Sequence, residues 1–167
     1  MTLPSFAIII PARYASTRYP GKPLVQLRGA KGEGKTLIKR SWECAMAVEG
    51  CSGVWVATDD DRIAQEVRRF GGQVVMTDEA CANGTERCAD AIAKLGDVAE
   101  VIVNLQGDAP LSPAHIVHEM VGSLASDSDL RMTTPAVRCS KSTYAHLVED
   151  AENGRVGGTT VVGSSRN

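Results

Sequence analysis

The stretch FAIIIPARYASTRYPGKPL, Phe6 to Leu24, decides how the rest of the chain is read. Phe6, Ala7, Ile8, Ile9 and Ile10 form a continuous apolar run without polar alternation. That pattern suits a central strand covered on both faces of an α/β sheet, with Pro11 expected to end it. The loop that follows offers Arg13, Ser16, Thr17, Arg18 and Lys22, while Gly21 permits close backbone approach and Pro20 and Pro23 stiffen the turn. Guanidinium groups grip phosphate oxygens as a fork and lysine acts as a mobile point charge, so these cations beside hydroxyl and amide donors suit a triphosphate. The place suits it too, because open α/β sheets take ligands at the carboxyl ends of their strands. A basic, solvated surface loop is the plainer alternative.

Working outward, the remaining chain alternates strand and helix signals. A helix is expected over Leu37 to Val48, with Leu37, Ile38, Trp42, Ala45 and Met46 on its apolar face, and a second strand over Gly53 to Thr58. Asp59, Asp60 and Asp61 then cap a helix from Arg62 to Phe70, where negative charge complements the helix N-terminus. Gln73 to Thr77 reads as a third strand. After it, Ala82-Asn83-Gly84-Thr85-Glu86-Arg87 permits a tight turn in which Thr85 is expected to cap the helix Glu86 to Leu95. Val98 to Leu105 is the fourth strand and delivers Gln106, Gly107 and Asp108. A carboxylate there, beside a glycine that admits ligand, is placed to hold Mg²⁺ against triphosphate oxygens. A helix from Pro113 to Leu124 carries His115 and His118 on a solvated face. Met132 to Val137 reads as a strand, Tyr144 to Ala151 as a helix, and Thr159 to Val162 as a final apolar run.

Composition narrows the function classes. The 167 residues suit a single domain spanning 1–167, and a net charge of −2 provides no global positive field for nucleic acid or an anionic membrane, so the phosphate-binding charge is local. No apolar run approaches the roughly 18 residues of a membrane span, and a cytoplasmic protein is expected. The cysteines, Cys44, Cys51, Cys81, Cys88 and Cys139, form an odd set without a C-x-x-C pair, which argues for reduced thiols.

Gly29-Ala-Lys-Gly-Glu-Gly-Lys35-Thr36 spells G-x-x-x-x-G-K-[ST] ahead of the first helix, the pattern of a P-loop NTPase. Such a loop needs a buried strand immediately before it, and Pro23 to Arg28 is short and half polar. The segment Gly29 to Lys35 therefore reads as a lengthened surface turn, with a P-loop using Lys35 and Thr36 as the rival.

Three segments carry a family resemblance. PARYASTRYPGKPL resembles the opening signature of the 3-deoxy-manno-octulosonate (KDO) cytidylyltransferases; Asn83-Gly-Thr-Glu-Arg87 resembles their S-G-T-E-R segment, with Asn83 in place of serine; and VNLQGDAPL resembles V-N-x-Q-G-D-E-P, with Ala109 in place of an acidic residue. The resemblance implies an α/β nucleotide-diphospho-sugar transferase fold, Rossmann-like, with a mixed, mostly parallel sheet and helices on both faces. It implies the reaction CTP + KDO → CMP-KDO + pyrophosphate for lipopolysaccharide biosynthesis, with Mg²⁺ as cofactor and a homodimer as the assembly. Arg13, Lys22 and Asp108 are the implied catalytic residues, Asp108 being the metal ligand. Ala12, Arg13, Ser16, Arg18, Lys22, Asn83, Gly84, Thr85, Arg87 and Gln106 are the implied nucleotide-binding residues. Family members continue past the position of Asn167 with sugar-binding residues and a second metal aspartate, so the chain is expected to be C-terminally incomplete relative to them. A CTP-binding relative without activity is the alternative within the family.

Overall fold

The computed structural model describes residues 3–15, 19–155 and 161. The chain divides into two compact units, Met1–Thr133 and Thr134–Asn167.

In the first unit the elements run β1 (Phe6–Ala12), a 3₁₀ turn (Lys22–Leu24), β2 (Gln26–Arg28), β3 (Gly34–Thr36), α1 (Leu37–Met46), β4 (Val54–Thr58), α2 (Asp61–Arg69), β5 (Gln73–Met76), α3 (Gly84–Leu95), β6 (Val101–Asn104) and α4 (Ala114–Ser126). Four strands make one sheet in the order β5-β4-β1-β6. Every pairing in it is parallel: β1 with β4, β1 with β6, and β4 with β5. The expected mixed sheet is thus parallel throughout its described strands, and antiparallel pairing is confined to the small β2–β3 hairpin.

This order explains the layers. The chain steps from β1 to β4 to β5 in one direction, then returns to place β6 on the other side of β1. Right-handed crossovers therefore put the early helices on one face of the sheet and α3 on the other. Phe6, Ile8 and Ile10 pack with Ile38 and Ala45 of α1, Ile63 and Val67 of α2, and Val117 and Val121 of α4. Ile9 points the opposite way and packs with Ala57, Val75 and, from α3, Cys88 and Ala91. Ile8, Ile9 and Ile10 are all fully buried. At about 1.5–3 kcal/mol for each fully buried aliphatic side chain, that run anchors both layers.

Pro11 does not end β1. It pairs with Ala57 of β4 inside the strand, and β1 continues through Ala12. A central strand tolerates this proline because the β6 ladder has already ended there, its final bond running from Leu105 N–H to the Ile9 carbonyl at 3.0 Å. The missing N–H of Pro11 would have pointed to that open side.

The first helix is rotated slightly from its expected face. Its buried stripe is Leu37, Ile38, Ser41 and Ala45. Trp42 is only half buried, tilted against Phe70 at 5.2 Å, and Met46 is exposed. On α4, His118 is held rather than free: its Nε2 meets the Glu49 carbonyl at 2.8 Å and its ring lies edge-on to Phe6.

In the second unit, α5 (Lys141–Glu152) begins at an N-cap in which Ser140 Oγ accepts from Thr143 N–H. Residues 132–137 form no strand. The expected run Thr159 to Val162 falls almost wholly outside the described residues. No helix among the described residues is long and apolar enough to cross a membrane.

Candidate functional site

The strand order reverses between β1 and β6, and a crevice outside the carboxyl ends of strands at such a switch point is the general ligand site of open α/β sheets. The two expected loops leave those strands side by side. Lys22 Nζ lies 2.6 Å from Asp108 Oδ2, with about half of each side chain exposed to solvent. A mobile cation and a hard oxygen anion thus meet across the switch point, although 86 positions separate them in sequence.

Each loop is fixed by its own local chemistry. After β1, Gly21 N–H donates to the Tyr14 carbonyl at 2.9 Å, closing the base of the loop. Gly21 has φ +70°, and a Cβ there would fall 3.0–3.1 Å from the Tyr14 ring and 3.2 Å from its hydroxyl, so only glycine fits both the backbone and the contact. Pro23 then stiffens the 3₁₀ turn that presents Lys22. Arg13 is exposed at the mouth and Ala12 is buried at the end of β1. Ser16 and Arg18 lie outside the described residues.

After β6, Gln106 to Ala109 closes a turn through Ala109 N–H to the Gln106 carbonyl at 3.0 Å. A Cβ on Gly107 would come within 2.9 Å of the Pro11 backbone oxygen. The turn is also pinned from below, because the fully buried Ser41 donates its hydroxyl to the Gly107 carbonyl at 2.7 Å. Ser41 was absent from the expected site. Its signal was a lone hydroxyl residue at helical spacing within the stripe Leu37, Ile38, Ala45.

The Asn83 segment approaches the same crevice. Gly84 sits against Pro11, its Cβ position 3.2 Å from the proline ring and 3.7 Å from Gln106 Oε1. Gln106 in turn donates from Nε2 to Asn104 Oδ1 at 3.0 Å. Asn83, not Thr85, caps α3, its Oδ1 accepting from Glu86 N–H at 2.9 Å. Glu86 answers by accepting from Ala82 N–H and from Asn83 Nδ2, both at 2.8 Å, so cap and first turn hold each other. Thr85 is exposed in the first turn. Arg87 is only 3% exposed and is committed elsewhere. It donates to Asp59 Oδ2 at 2.7 Å and to Thr77 Oγ1, tying the carboxyl ends of β4 and β5 together from beneath the site.

The P-loop reading is removed by geometry. Gly34 to Thr36 is strand β3, paired with Gln26 to Arg28. Lys35 Nζ bonds Glu43 at 3.0 Å, and this hydrogen bond raises the lysine pKa above its ordinary value. Thr36 is buried, caps α1 and donates its hydroxyl to Glu66. Neither residue faces a phosphate cradle.

Asp108 suits a magnesium ion as a hard oxygen donor, and no group of three or more His, Cys, Asp or Glu side chains placed to hold a metal occurs among the described residues. A carboxylate donor of this kind fits Mg²⁺, which uses one or two carboxylates and completes its shell with phosphate oxygens and water.

The cytidylyltransferase family profile matches residues 7–152. The chain belongs to the cytidylyltransferase family. Among curated relatives, the 3-deoxy-manno-octulosonate cytidylyltransferase of Maricaulis maris is 46% identical over 158 residues, covering 95% of this chain and 59% of that protein. The mitochondrial 3-deoxy-manno-octulosonate cytidylyltransferase of Arabidopsis thaliana is 47% identical over 126 residues, covering 75% of this chain and 42% of that protein. The chain spans about half the length of the curated relatives it matches. A solved CMP:2-keto-3-deoxy-manno-octonic acid synthetase complexed with CTP superposes with a TM-score of 0.68 at 39% identity, over 75% of this chain and 49% of that one. The cytidylyltransferase likeness extends across β1 to α5, so all three loops that converge at the switch point lie within the family match.

Proposed function

We propose that this cytidylyltransferase chain binds CTP at the β1–β6 switch point and serves the synthesis of CMP-KDO and pyrophosphate from CTP and KDO. The observation that carries the reading is the Lys22–Asp108 pair, a phosphate-seeking cation beside a metal-seeking carboxylate at 2.6 Å. The KDO cytidylyltransferases of Maricaulis maris and Arabidopsis thaliana, and the CTP complex of the solved synthetase, support the choice of nucleotide and sugar.

The chemistry asks for positioning and charge neutralisation. The anomeric hydroxyl oxygen of KDO forms a bond to the α-phosphorus, the bond from that phosphorus to the α–β bridging oxygen breaks, pyrophosphate leaves, and the hydroxyl proton passes to solvent. Lys22 and the exposed Arg13 neutralise the phosphate oxygens as charge shifts onto the leaving group. Asp108 would hold Mg²⁺, which when bound supplies Lewis-acid neutralisation of the triphosphate. The Asn83–Thr85 turn, carried against Pro11 and Gln106, presents its amides and hydroxyl toward base and ribose. The family resemblance also brings a homodimer, a cytoplasmic location and a place in lipopolysaccharide biosynthesis into this reading.

The test is pyrophosphate release by the protein with CTP and Mg²⁺, with and without KDO, accompanied by calorimetric CTP binding. Release is expected only when CTP and KDO are both present. Absence of CTP binding in Mg²⁺ would refute the proposal.

A further inference from the structure

Arg62 stands where a cation is unfavourable. It is the second residue of α2, in the first turn of a helix whose N-terminal dipole repels positive charge. Its surroundings offset that cost. Asp60 accepts from Arg62 Nε at 3.1 Å and from Nη2 at 2.7 Å, a two-point fork, while the guanidinium carbon lies 3.3 Å from the centre of the Tyr14 ring. Asp60 is itself fixed: its backbone N–H donates to Thr58 Oγ1, and its side chain caps α2 through Arg62 N–H and Ile63 N–H. The hydrogen bonds from Arg62 hold the Asp60 carboxyl below the ordinary carboxylate range, so the fork stays charged at neutral pH.

The ring that receives Arg62 is the same ring that covers Gly21, the residue immediately before Lys22. A continuous path therefore runs from the carboxyl end of β4 through Asp60, Arg62, Tyr14 and Gly21 to Lys22. We propose that Arg62 is a positioning residue for triphosphate binding: stacked on Tyr14 and gripped by Asp60, it fixes the turn that presents Lys22. This rests on the reading of Lys22 as a phosphate ligand. Arg62 acts through the Tyr14 ring and does not touch the nucleotide.

The test measures binding of inorganic tripolyphosphate and of CTP, each with Mg²⁺, by calorimetry. Arg62→Met and Tyr14→Leu should each weaken both ligands by about five-fold, the scale of an exposed cation–π contact with its geometry lost. The double variant should be no weaker than either single one, because both break the same link. Tyr14→Phe keeps the ring and should bind as wild type. Arg62→Lys keeps the charge but loses the planar fork, so it should resemble Arg62→Met. Arg68→Met removes one exposed positive charge from the other end of α2 and should change nothing. Wild-type affinity in Arg62→Met would overturn the proposal. Additive losses in the double variant would do the same, as would a loss confined to CTP, which would make Arg62 a base or ribose contact. If wild type binds neither compound, the reading of Lys22 falls and this proposal with it; if wild type binds and the variants match it, only the clamp falls.

Discussion

Replacing Gly107 by alanine tests whether the Asp108 turn is held by close packing against β1. The added Cβ would sit 2.9 Å from the Pro11 carbonyl oxygen, with Ile10 Cγ2 at 3.6 Å and Ile38 Cδ1 at 3.8 Å. A comfortable carbon–oxygen contact is about 0.5 Å longer than that first distance. Pro11 O cannot yield, because Ile10, Pro11 and Ala12 are in register with Val56, Ala57 and Thr58 of β4. The turn must therefore move, straining the 2.7 Å bond from Ser41 Oγ to the Gly107 carbonyl and shifting Asp108 away from Lys22. Overpacking of this kind costs about 1–3 kcal/mol. At about 2–4 °C per kcal/mol for a chain of this size, a 2 kcal/mol loss lowers Tm by about 4–8 °C. Thermal unfolding followed by circular dichroism reads the first effect, and calorimetric CTP binding in Mg²⁺ reads the second, expected to weaken by about ten-fold for a turn displaced by a fraction of an ångström. Gly122→Ala is the control: on α4 its Cβ would meet only Leu3 Cδ2 at 3.6 Å, an ordinary contact, so that variant should be as stable as wild type or more so. If Gly107→Ala keeps both the wild-type Tm and the wild-type CTP affinity, the packing account of this turn is wrong.

Lys22→Ala should abolish measurable CTP binding while Lys35→Ala, whose ammonium is engaged by Glu43 away from the crevice, leaves it unchanged; the reverse pattern in a calorimetric titration would restore the P-loop reading. Asn83→Ala removes the α3 cap and should cost about 1 kcal/mol in urea unfolding. No change in the midpoint would mean the cap contributes nothing. Burial pushes the Cys88 thiol up to about 11, so at pH 8 its thiolate is scarce and iodoacetamide should label the exposed Cys139 well before it. Mass spectrometry of a timed labelling series decides this, and early modification of Cys88 in the native protein would contradict its burial.

What the sequence alone determined was carried by local signals, which gave the strands and helices of the sheet layers but misplaced the α3 cap at Thr85 and read a strand over 132–137 that does not form. The unbroken apolar run Phe6 to Ile10 reads as a doubly covered strand because a parallel sheet leaves neither face to water. The alternation of strand and helix signals then implies an α/β layer structure with a mostly parallel sheet, and the residues after β1 and β6 mark the loops that meet at the site. The family resemblance rested on those same loops, and the family match contains them.

Tertiary structure decided what depends on partners distant in the chain. Pro11 stays within its strand only because β6 ends beside it, a fact of register that no local pattern records. Lys35 and Thr36 spell a phosphate loop, yet pairing of β3 with β2 and the carboxylates of Glu43 and Glu66 give them other work. Arg87 reads as a ligand contact, yet the fold buries it and bonds it to Asp59 and Thr77. Ser41 beneath Gly107, and Arg62 on Tyr14, join segments 66 and 48 positions apart. Periodicity and turn chemistry report a residue's near neighbours; the Ser41–Gly107, Arg62–Tyr14 and Lys22–Asp108 contacts exist only once the sheet order has brought the carboxyl ends of β1, β4 and β6 together, and that order is where the chain's separate loops become one site.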